Sequence, residues 1–164
     1  MDKPFQIRFA ARADVATILA LIHELAEYER APNEVVATEE GLGEALFGEH
    51  PAAEVLLGEE AGEAVCFALY FHNFSTWMGR RGVYLEDLFV RPEVRGKGYG
   101  RALLVRLAQI ARERNCGRME WAVLDWNEPA IEFYRKLGAM PNDDWTIFRL
   151  RQDGIADLAK NGNS

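Results

Sequence analysis

Hydrophobic and polar residues recur along the chain in patterns that predict a strand followed by a helix at its centre. Residues 84–90 are rich in aromatic and branched side chains, as in a strand, and the run ends before Pro92, which cannot donate to a sheet ladder. Apolar residues then recur at helical spacing and predict one buried helix face: Leu103, Leu104, Leu107, Ile110 and Ala111. Glycines at every second position, Gly96, Gly98 and Gly100, separate the two elements.

The same patterns predict further elements on both sides of this centre. Helices are expected after the capping residues Asp14 and Thr38, and from Asn127, through Pro129 in the first turn, to the stop at Gly138. The predicted strands, of which the second and third form a hairpin through a glycine turn, are residues 6–9, 55–58, 64–74, 119–124 and 145–151. This alternation predicts an α/β chain in one domain, residues 1–164, with a core at about 5–152 and a flexible tail.

Composition agrees with a single globular domain. The chain has 164 residues, of which 49% are hydrophobic and 27% charged, which argues against disorder. Its apolar runs are too short to cross a bilayer, and a basic N-terminal segment followed by an apolar stretch is missing, so we expect a cytoplasmic protein without membrane association.

Cysteine, histidine and charge patterns exclude several classes of function. Cys66 and Cys116 form no C-x-x-C pair and the histidines show no ligand spacing, so we expect no metal. Cys66 lies in an apolar strand, which favours a buried thiol over a nucleophile. The formal charge is −7 and the basic residues cluster near the glycines, so nucleic acid is a poor partner, whereas a cationic amine is permitted.

The glycine loop predicts an anion site. The first N–H groups of a helix lack partners within it and carry the positive end of its dipole, and glycines allow a phosphate to approach them. Arg95, Lys97 and Arg101 add positive charge. A tight strand-to-helix turn without a ligand is the alternative. The spacing is neither G-x-G-x-x-G nor a Walker loop, which disfavours NAD and ATP.

Several acidic and aromatic residues remain open between structural and functional interpretations. Glu86 and Asp87 adjoin inside an apolar strand, where alternation predicts opposite faces and burial demands a partner or water for each. The structural interpretation is that one of these two acids is exposed at an edge and that the other forms a salt bridge. Trp77 fits a core plug or a pocket wall equally well. Glu24 and Glu27 fit a solvated helix face.

The segments together resemble the GCN5-related N-acetyltransferase (GNAT) superfamily, whose hallmark is an R/Q-x-x-G-x-G/A loop between a strand and a helix. The resemblance extends to the diamine acetyltransferase group, which includes spermidine/spermine and thialysine acetyltransferases. It rests on ELAEYE at 24–29, FGEHP at 47–51, YLEDLFV at 84–90, RGKGYG at 95–100 and WNEPAIEFYRKLGA at 126–139. It implies a mixed, twisted sheet whose fourth and fifth strands splay apart to admit acetyl-CoA.

The resemblance also implies roles for single residues. Tyr134 would be the acid that faces the departing thiolate, because a phenol with a pKa of about 10 is protonated at neutral pH. Glu86 would accept the amine proton, through water. Amine binding would involve Tyr28, Glu29, Trp77, Glu86 and Asp87. Acetyl-CoA binding would involve Leu88, Phe89, Val90, Arg95, Gly96, Lys97, Gly98, Tyr99, Gly100, Arg101, Asn127, Pro129, Ala130 and Tyr134.

One departure narrows the substrate. The spermidine/spermine branch carries an aspartate where this chain has Ser75, and FSTWMGR at 74–80 resembles the thialysine branch, so a diamine or lysine-like amino acid is favoured over spermine. The resemblance further implies a homodimer. A peptide or protein N-acetyltransferase and a non-catalytic acyl-CoA-binding module are the competing hypotheses.

Overall fold

The structure is a computed structural model that describes residues 4–163. Contacts within the chain divide it into two compact units, Met1–Ala122 and Val123–Ser164. Among the described residues, no helix combines the length and the apolar character that a membrane span requires.

The first unit contains a five-stranded mixed sheet. Its strand order is β1-β2-β3-β6-β7, with antiparallel pairs throughout except for the parallel pair β6–β7, and β4 and β5 form a separate two-stranded sheet. The strands are β1 Gln6–Phe9, β2 Glu54–Glu60, β3 Glu63–Phe71, β4 Phe74–Ser75, β5 Arg80–Arg81, β6 Val83–Val90 and β7 Met119–Trp121. The helices are α1 Val15–Tyr28, α2 Glu39–Phe47 and α3 Tyr99–Glu113. The predicted mixed α/β architecture is confirmed.

Amphipathic helices close the core over this sheet. Every third or fourth residue of α1 is buried, and Ile18 and Leu21 pack with Leu57, Phe67 and Phe89 of the sheet. All five apolar positions predicted for α3 are buried, and this helix contacts β2, β3 and β6. Burial of such stripes supplies the main favourable free energy of folding, so the sequence pattern and the core coincide.

A bulge interrupts β6 next to the predicted catalytic residues. Tyr70 of β3 lies opposite Leu85 and Leu69 lies opposite Asp87, so Glu86 is the extra residue on β6. A bulge of this kind bends the strand and disturbs the alternation of its side chains. The prediction that Glu86 and Asp87 point to opposite faces depended on unbroken alternation, and the bulge removes that basis.

The second unit holds two helices, α4 Glu128–Lys136 and α5 Gln152–Lys160. The predicted N-cap of α4 is confirmed, because the Asn127 side chain accepts a hydrogen bond from the Ala130 N–H, and Gly138 has the positive φ of 90° that ends helices.

The predicted strand at 145–151 is wrong, since these residues form no regular element. Their sequence has strand-like residue types, but a strand also needs a neighbour that pairs its backbone, and no sheet among residues 4–163 includes them. The helix α5 was not predicted, although Ile155 and Leu158 have helical spacing. Asn161–Asn163 form a short 3-10 helix, and Ser164 lies outside the described residues.

Candidate active site

The glycine loop has the open helix start that an anion site needs. Gly96 and Gly98 adopt positive φ angles of 83° and 85°, and a Cβ atom at either position would meet no other atom of the described residues within 4 Å. Gly98 is the N-cap of α3, and no side chain among residues 4–163 caps this helix. The positive end of the α3 dipole therefore faces a loop surface that is open at Gly96 and Gly98, where main-chain N–H groups can receive a ligand.

Glu60, at the end of β2, holds this loop in place. Its carboxylate accepts hydrogen bonds from Lys97, at 2.7 Å, and from the hydroxyl of Tyr99. The hydrogen bond from Lys97 and, to a smaller extent, the one from Tyr99 lower the pKa of Glu60. The ring of Tyr99 also stacks on Phe5, with the ring centres 3.8 Å apart. Sequence reasoning missed Glu60, because 37 residues separate it from Lys97 and no motif marks it.

The cations of the loop differ in their surroundings. Lys97 is paired with Glu60, whereas the Arg95 Nε group donates to the main-chain carbonyl of Val90 at 2.9 Å. Arg101 is exposed in the first turn of α3. The structure therefore brings Arg95–Arg101 together as one positively charged loop, with one of its charges balanced by Glu60.

The strand before the loop keeps an edge outside the sheet ladder. Leu88, Phe89 and Val90 pair with β3 on one side. On the other side, the parallel pairing with β7 covers only Val83–Leu85. Because a strand edge presents alternate N–H and C=O groups, residues 86–90 offer main-chain partners to an extended ligand.

Three carboxyl groups interact around the β6 bulge. Burial, followed by the charges of Glu86 and then Glu29, raises the pKa of Asp87 to about 6. Burial, followed by the charge of Glu86, also raises the pKa of Glu29. Within residues 4–163 no arginine or lysine pairs with Asp87, so the salt-bridge interpretation of this residue is wrong. A cluster of this kind attracts a cation.

The aromatic residues predicted to bind the amine lie at the end of α1 and in the turn between β4 and β5. Tyr28 is the last residue of α1, and Glu29 follows it. Trp77 lies between β4 and β5 and is 90% exposed, so the core-plug interpretation is wrong. The Ser75 hydroxyl accepts a hydrogen bond from the Met78 N–H at 3.3 Å, within the same short hairpin.

Glu24 has a structural partner that the sequence did not reveal. Its carboxylate pairs with Arg91 at 2.9 Å, and Arg91 also pairs with Glu63 at 2.9 Å. The prediction of a merely solvated position for Glu24 is therefore wrong. This ion pair joins the last turns of α1 to the end of β6.

In the second unit, α4 carries the remaining predicted residues. Asn127 is buried and caps the helix, Pro129 and Ala130 lie in its first turn, and Tyr134 lies two turns after Asn127. The ring centre of Tyr134 is 5.5 Å from that of Phe133. Residues seven apart share one side of a helix, so Asn127 and Tyr134 lie on the same side of α4.

Other reactive groups and hollows lie apart from these residues. Cys66 is fully buried, and burial raises its pKa to about 12, which confirms a structural thiol rather than a nucleophile. In the described part of the chain, no group of three or more His, Cys, Asp or Glu side chains is arranged to hold a metal ion. Two hollows of about 500 and 670 Å³ in the first unit are lined by none of the predicted site residues.

Comparison with known proteins identifies the family to which this chain is similar. The model of the acetyltransferase (GNAT) family matches residues 18–139, a span that crosses the boundary between the two units. A thialysine N-epsilon-acetyltransferase of Bos taurus is 40% identical, and the alignment covers 93% of this chain and 96% of the relative.

Two further proteins also align with nearly the whole of this chain. An L-ornithine N5-acetyltransferase of Arabidopsis thaliana is 31% identical over 94% of this chain and 88% of its own length. Among solved structures, an integron cassette protein from the mobile metagenome of V. cholerae superimposes with a TM-score of 0.82 at 28% identity, covering 96% of this chain and 99% of the other.

Proposed function

Because the chain belongs to the acetyltransferase (GNAT) family and is an N-acetyltransferase of small-molecule amines, we propose that it acetylates the terminal amine of a lysine-like amino acid or short diamine, with acetyl-CoA as the donor. The family model spans residues 18–139, so we propose that both units belong to one catalytic domain. The observation that carries the donor assignment is the α3 start, where Gly96 and Gly98 leave the helix uncapped.

The residues around this helix start fit acetyl-CoA. The main-chain N–H groups of Gly96–Arg101 would hold the diphosphate, and Arg101 would add a positive charge. The main-chain groups of Leu88–Val90 would pair with the pantetheine arm, an amide-containing chain that suits a strand edge. Asn127, Pro129 and Ala130 are proposed to contribute from the start of α4. When bound, acetyl-CoA supplies a thioester whose carbonyl an amine can attack.

Glu86 is proposed as the base. A protonated amine has no lone pair to share, so a carboxylate must take its proton, directly or through water. Glu86 is exposed at the bulge, and its charge acts on both Asp87 and Glu29. An incoming ammonium ion would relieve the mutual repulsion of these acids, which supports a cationic acceptor.

Tyr134 is proposed as the acid that supplies a proton to the departing thiolate. A thiol has a reference pKa of about 8.5 and a phenol one of about 10, so the transfer is uphill and a hydrogen bond to the sulfur provides much of the benefit. This assignment rests on the match of the segment 126–139 to the family.

The acceptor is proposed from the acids and from the named relatives. Glu29 and Asp87 offer negative charge for a second cationic group on the substrate, as in thialysine or ornithine. Tyr28 and the exposed Trp77 would contact its alkyl part or its ammonium through their ring faces. Ser75 brings no charge to this side, which favours a short substrate over spermine.

We also propose a homodimer in the cytoplasm. Residues 145–150 expose large apolar side chains, with Trp145 at 67%, Ile147 at 74% and Phe148 at 93%. Apolar surface of this extent is more typical of an interface between subunits than of a monomer surface.

The experiment is a screen that records thiol release from acetyl-CoA with thialysine, lysine, ornithine, polyamines, amino-bearing antibiotics and a set of peptides. We expect thialysine or ornithine to give the highest kcat/KM. Turnover of peptides alone would instead favour a protein N-acetyltransferase, and binding of acetyl-CoA without turnover of any acceptor would favour a non-catalytic module.

A further inference from the structure

Arg95 connects the glycine loop to the end of α1. Its guanidinium carbon lies 4.6 Å from the centre of the Tyr28 ring and 5.8 Å from that of Phe89. At the same time its Nε group donates to the Val90 carbonyl at 2.9 Å. A single side chain therefore joins the first position of the loop, the end of β6 and the last residue of α1.

The hydrogen-bonding capacity of Arg95 is only partly used. A guanidinium has five N–H groups in one plane, and Arg95 directs its flat face to Tyr28 and its Nε–H to Val90. Among residues 4–163 its two Nη groups meet no hydrogen-bond acceptor. An anion held by the adjacent loop is the kind of acceptor that these N–H groups lack, and it would leave the stacked face on Tyr28 undisturbed.

A second polar contact also involves the last turns of α1, whose Leu25 is packed in the core. Glu24, one turn before Tyr28 on the same side of the helix, pairs with Arg91 at 2.9 Å. Arg91 and Arg95 flank the short turn at Pro92–Val94 that leads into the loop. Glu29 follows Tyr28 directly, and the charge of Glu86 acts on it. The residue that Arg95 contacts is therefore the neighbour in sequence of one of the acids proposed for the amine.

We infer that Arg95 is a positioning residue that couples donor binding at Gly96–Arg101 to the placement of Tyr28 and Glu29 for the acceptor. The inference rests on the proposed function, in which the glycine loop binds acetyl-CoA and Tyr28 and Glu29 bind the amine. An anion on the Nη groups fixes the plane of the guanidinium, and the stacked Tyr28 ring then becomes ordered with it. Linkage requires that an amine bound beside Tyr28 strengthens donor binding by the same factor.

Hydrogen–deuterium exchange tests the coupling without catalysis. Saturating CoA should slow exchange in the last turn of α1, residues 25–30, at least threefold in the wild type. This protection should disappear in Arg95→Ala and in Tyr28→Leu, whereas Tyr28→Phe, which keeps the ring, should retain it. Arg101→Ala removes a neighbouring positive charge and should retain the protection once CoA is saturating.

Kinetics provide the second readout. With saturating acetyl-CoA, Arg95→Ala and Arg95→Lys should raise the KM of thialysine, or of ornithine if thialysine is not acetylated, at least fivefold with kcat within twofold. Arg101→Ala should raise the KM of acetyl-CoA alone, whereas the Arg95 variants, which lose an anion contact as well, should raise both KM values. If Arg95 had a purely structural role, Arg95→Ala would lower the unfolding midpoint without raising the KM of the amine separately from kcat. If Arg95→Ala fails to fold, Tyr28→Leu provides the test.

The outcomes separate this inference from the proposed function. If the wild type binds CoA without protection of residues 25–30, or if Arg95→Ala and Tyr28→Leu keep that protection, the coupling is disproved while the acetyltransferase function stands. If calorimetry detects no CoA binding by the wild type, the proposed donor is wrong and the coupling falls with it.

Discussion

At the neighbouring residues Asp87 and Glu86, burial of the Asp87 carboxyl and the charge of Glu86, with that of Glu29, together raise the Asp87 pKa from 3.8 to about 6. The two residues adjoin at a bulge, where Glu86 has no counterpart on β3. Between about pH 4 and pH 6 the unfolded chain has lost the Asp87 proton while the folded chain still holds it. Asp87 therefore lowers stability progressively as the pH rises through this window, and its full cost, about 3 kcal/mol at most, is present above pH 6.

Replacement of Asp87 by asparagine should remove this cost. At pH 7.5 we expect Asp87→Asn to raise the unfolding midpoint by about 5 to 10 °C, whereas at pH 4 the two proteins should unfold at similar temperatures. Thermal unfolding followed by circular dichroism from pH 4 to pH 8 provides the measurement. Glu49→Gln, an exposed change of the same kind, should show no such pH dependence. An Asp87→Asn protein with a constant stability difference across this range would contradict the assigned pKa.

Substitution of Gly98 tests the anion site. A β-branched residue is strained at a φ of 85°, and its side chain would occupy the open surface of the loop. We expect Gly98→Val to weaken acetyl-CoA binding about tenfold or more in calorimetry, a loss of about 1.4 kcal/mol or more.

The matched control for Gly98 is Gly62, which also has a φ of 85° but lies in the turn between β2 and β3. Gly62→Val should cost comparable stability and leave the affinity for acetyl-CoA within twofold. Equal effects of the two substitutions on binding would show that backbone strain, and not the anion site, is responsible.

Removal of the Glu86 carboxylate tests its role as the base. At pH 7.5, Glu86→Gln should lower kcat/KM for the amine about 100-fold and flatten its rise with pH, because proton transfer to a positioned base contributes on this scale. Initial rates from pH 6 to pH 9.5 provide the profile. Glu93→Gln removes an exposed acid from the turn after β6 and should keep the wild-type profile. An unchanged slope in Glu86→Gln would exclude this residue as the base.

Loss of the Tyr134 hydroxyl should affect turnover rather than binding. We expect Tyr134→Phe to lower kcat about 10- to 100-fold with KM values within twofold, since a hydrogen bond that strengthens as the thiolate forms acts mainly in the transition state. Tyr99→Phe, which loses the hydrogen bond to Glu60 in the glycine loop, should raise the KM of acetyl-CoA instead. A Tyr134→Phe enzyme with wild-type kcat would leave the acid unassigned.

The exposed apolar segment offers a test of the homodimer. Light scattering after size-exclusion chromatography should give about twice the mass of the 18.6 kDa chain for the wild type and a smaller value for Phe148→Glu. Val36→Glu, at a residue that is 88% exposed in the first unit, should leave the mass unchanged. A monomeric wild type would contradict the homodimer.

Local patterns in the sequence were sufficient for the glycine loop, for α1 to α4 and for the approximate positions of β1, β2, β3, β6 and β7, whereas β4 and β5 were not predicted as separate strands. Helical spacing of Leu103, Leu107 and Ile110 specifies a buried face whatever the rest of the chain does, and glycines at 96 and 98 specify backbone angles that few other residues adopt. The expectation of an anion site followed from these two local facts together.

Relationships between distant residues depended on the tertiary structure. Glu60 meets Lys97 across 37 positions, Arg95 stacks on Tyr28 across one α-helix and five strands, and Glu86 becomes a bulge only because β3 supplies one residue fewer. Residues 145–151 illustrate the same dependence, since their strand-like composition predicted a strand but no strand within residues 4–163 pairs with them. Composition and spacing encode what a segment does with its own backbone, whereas pairing and charge interaction arise only once other segments are in place.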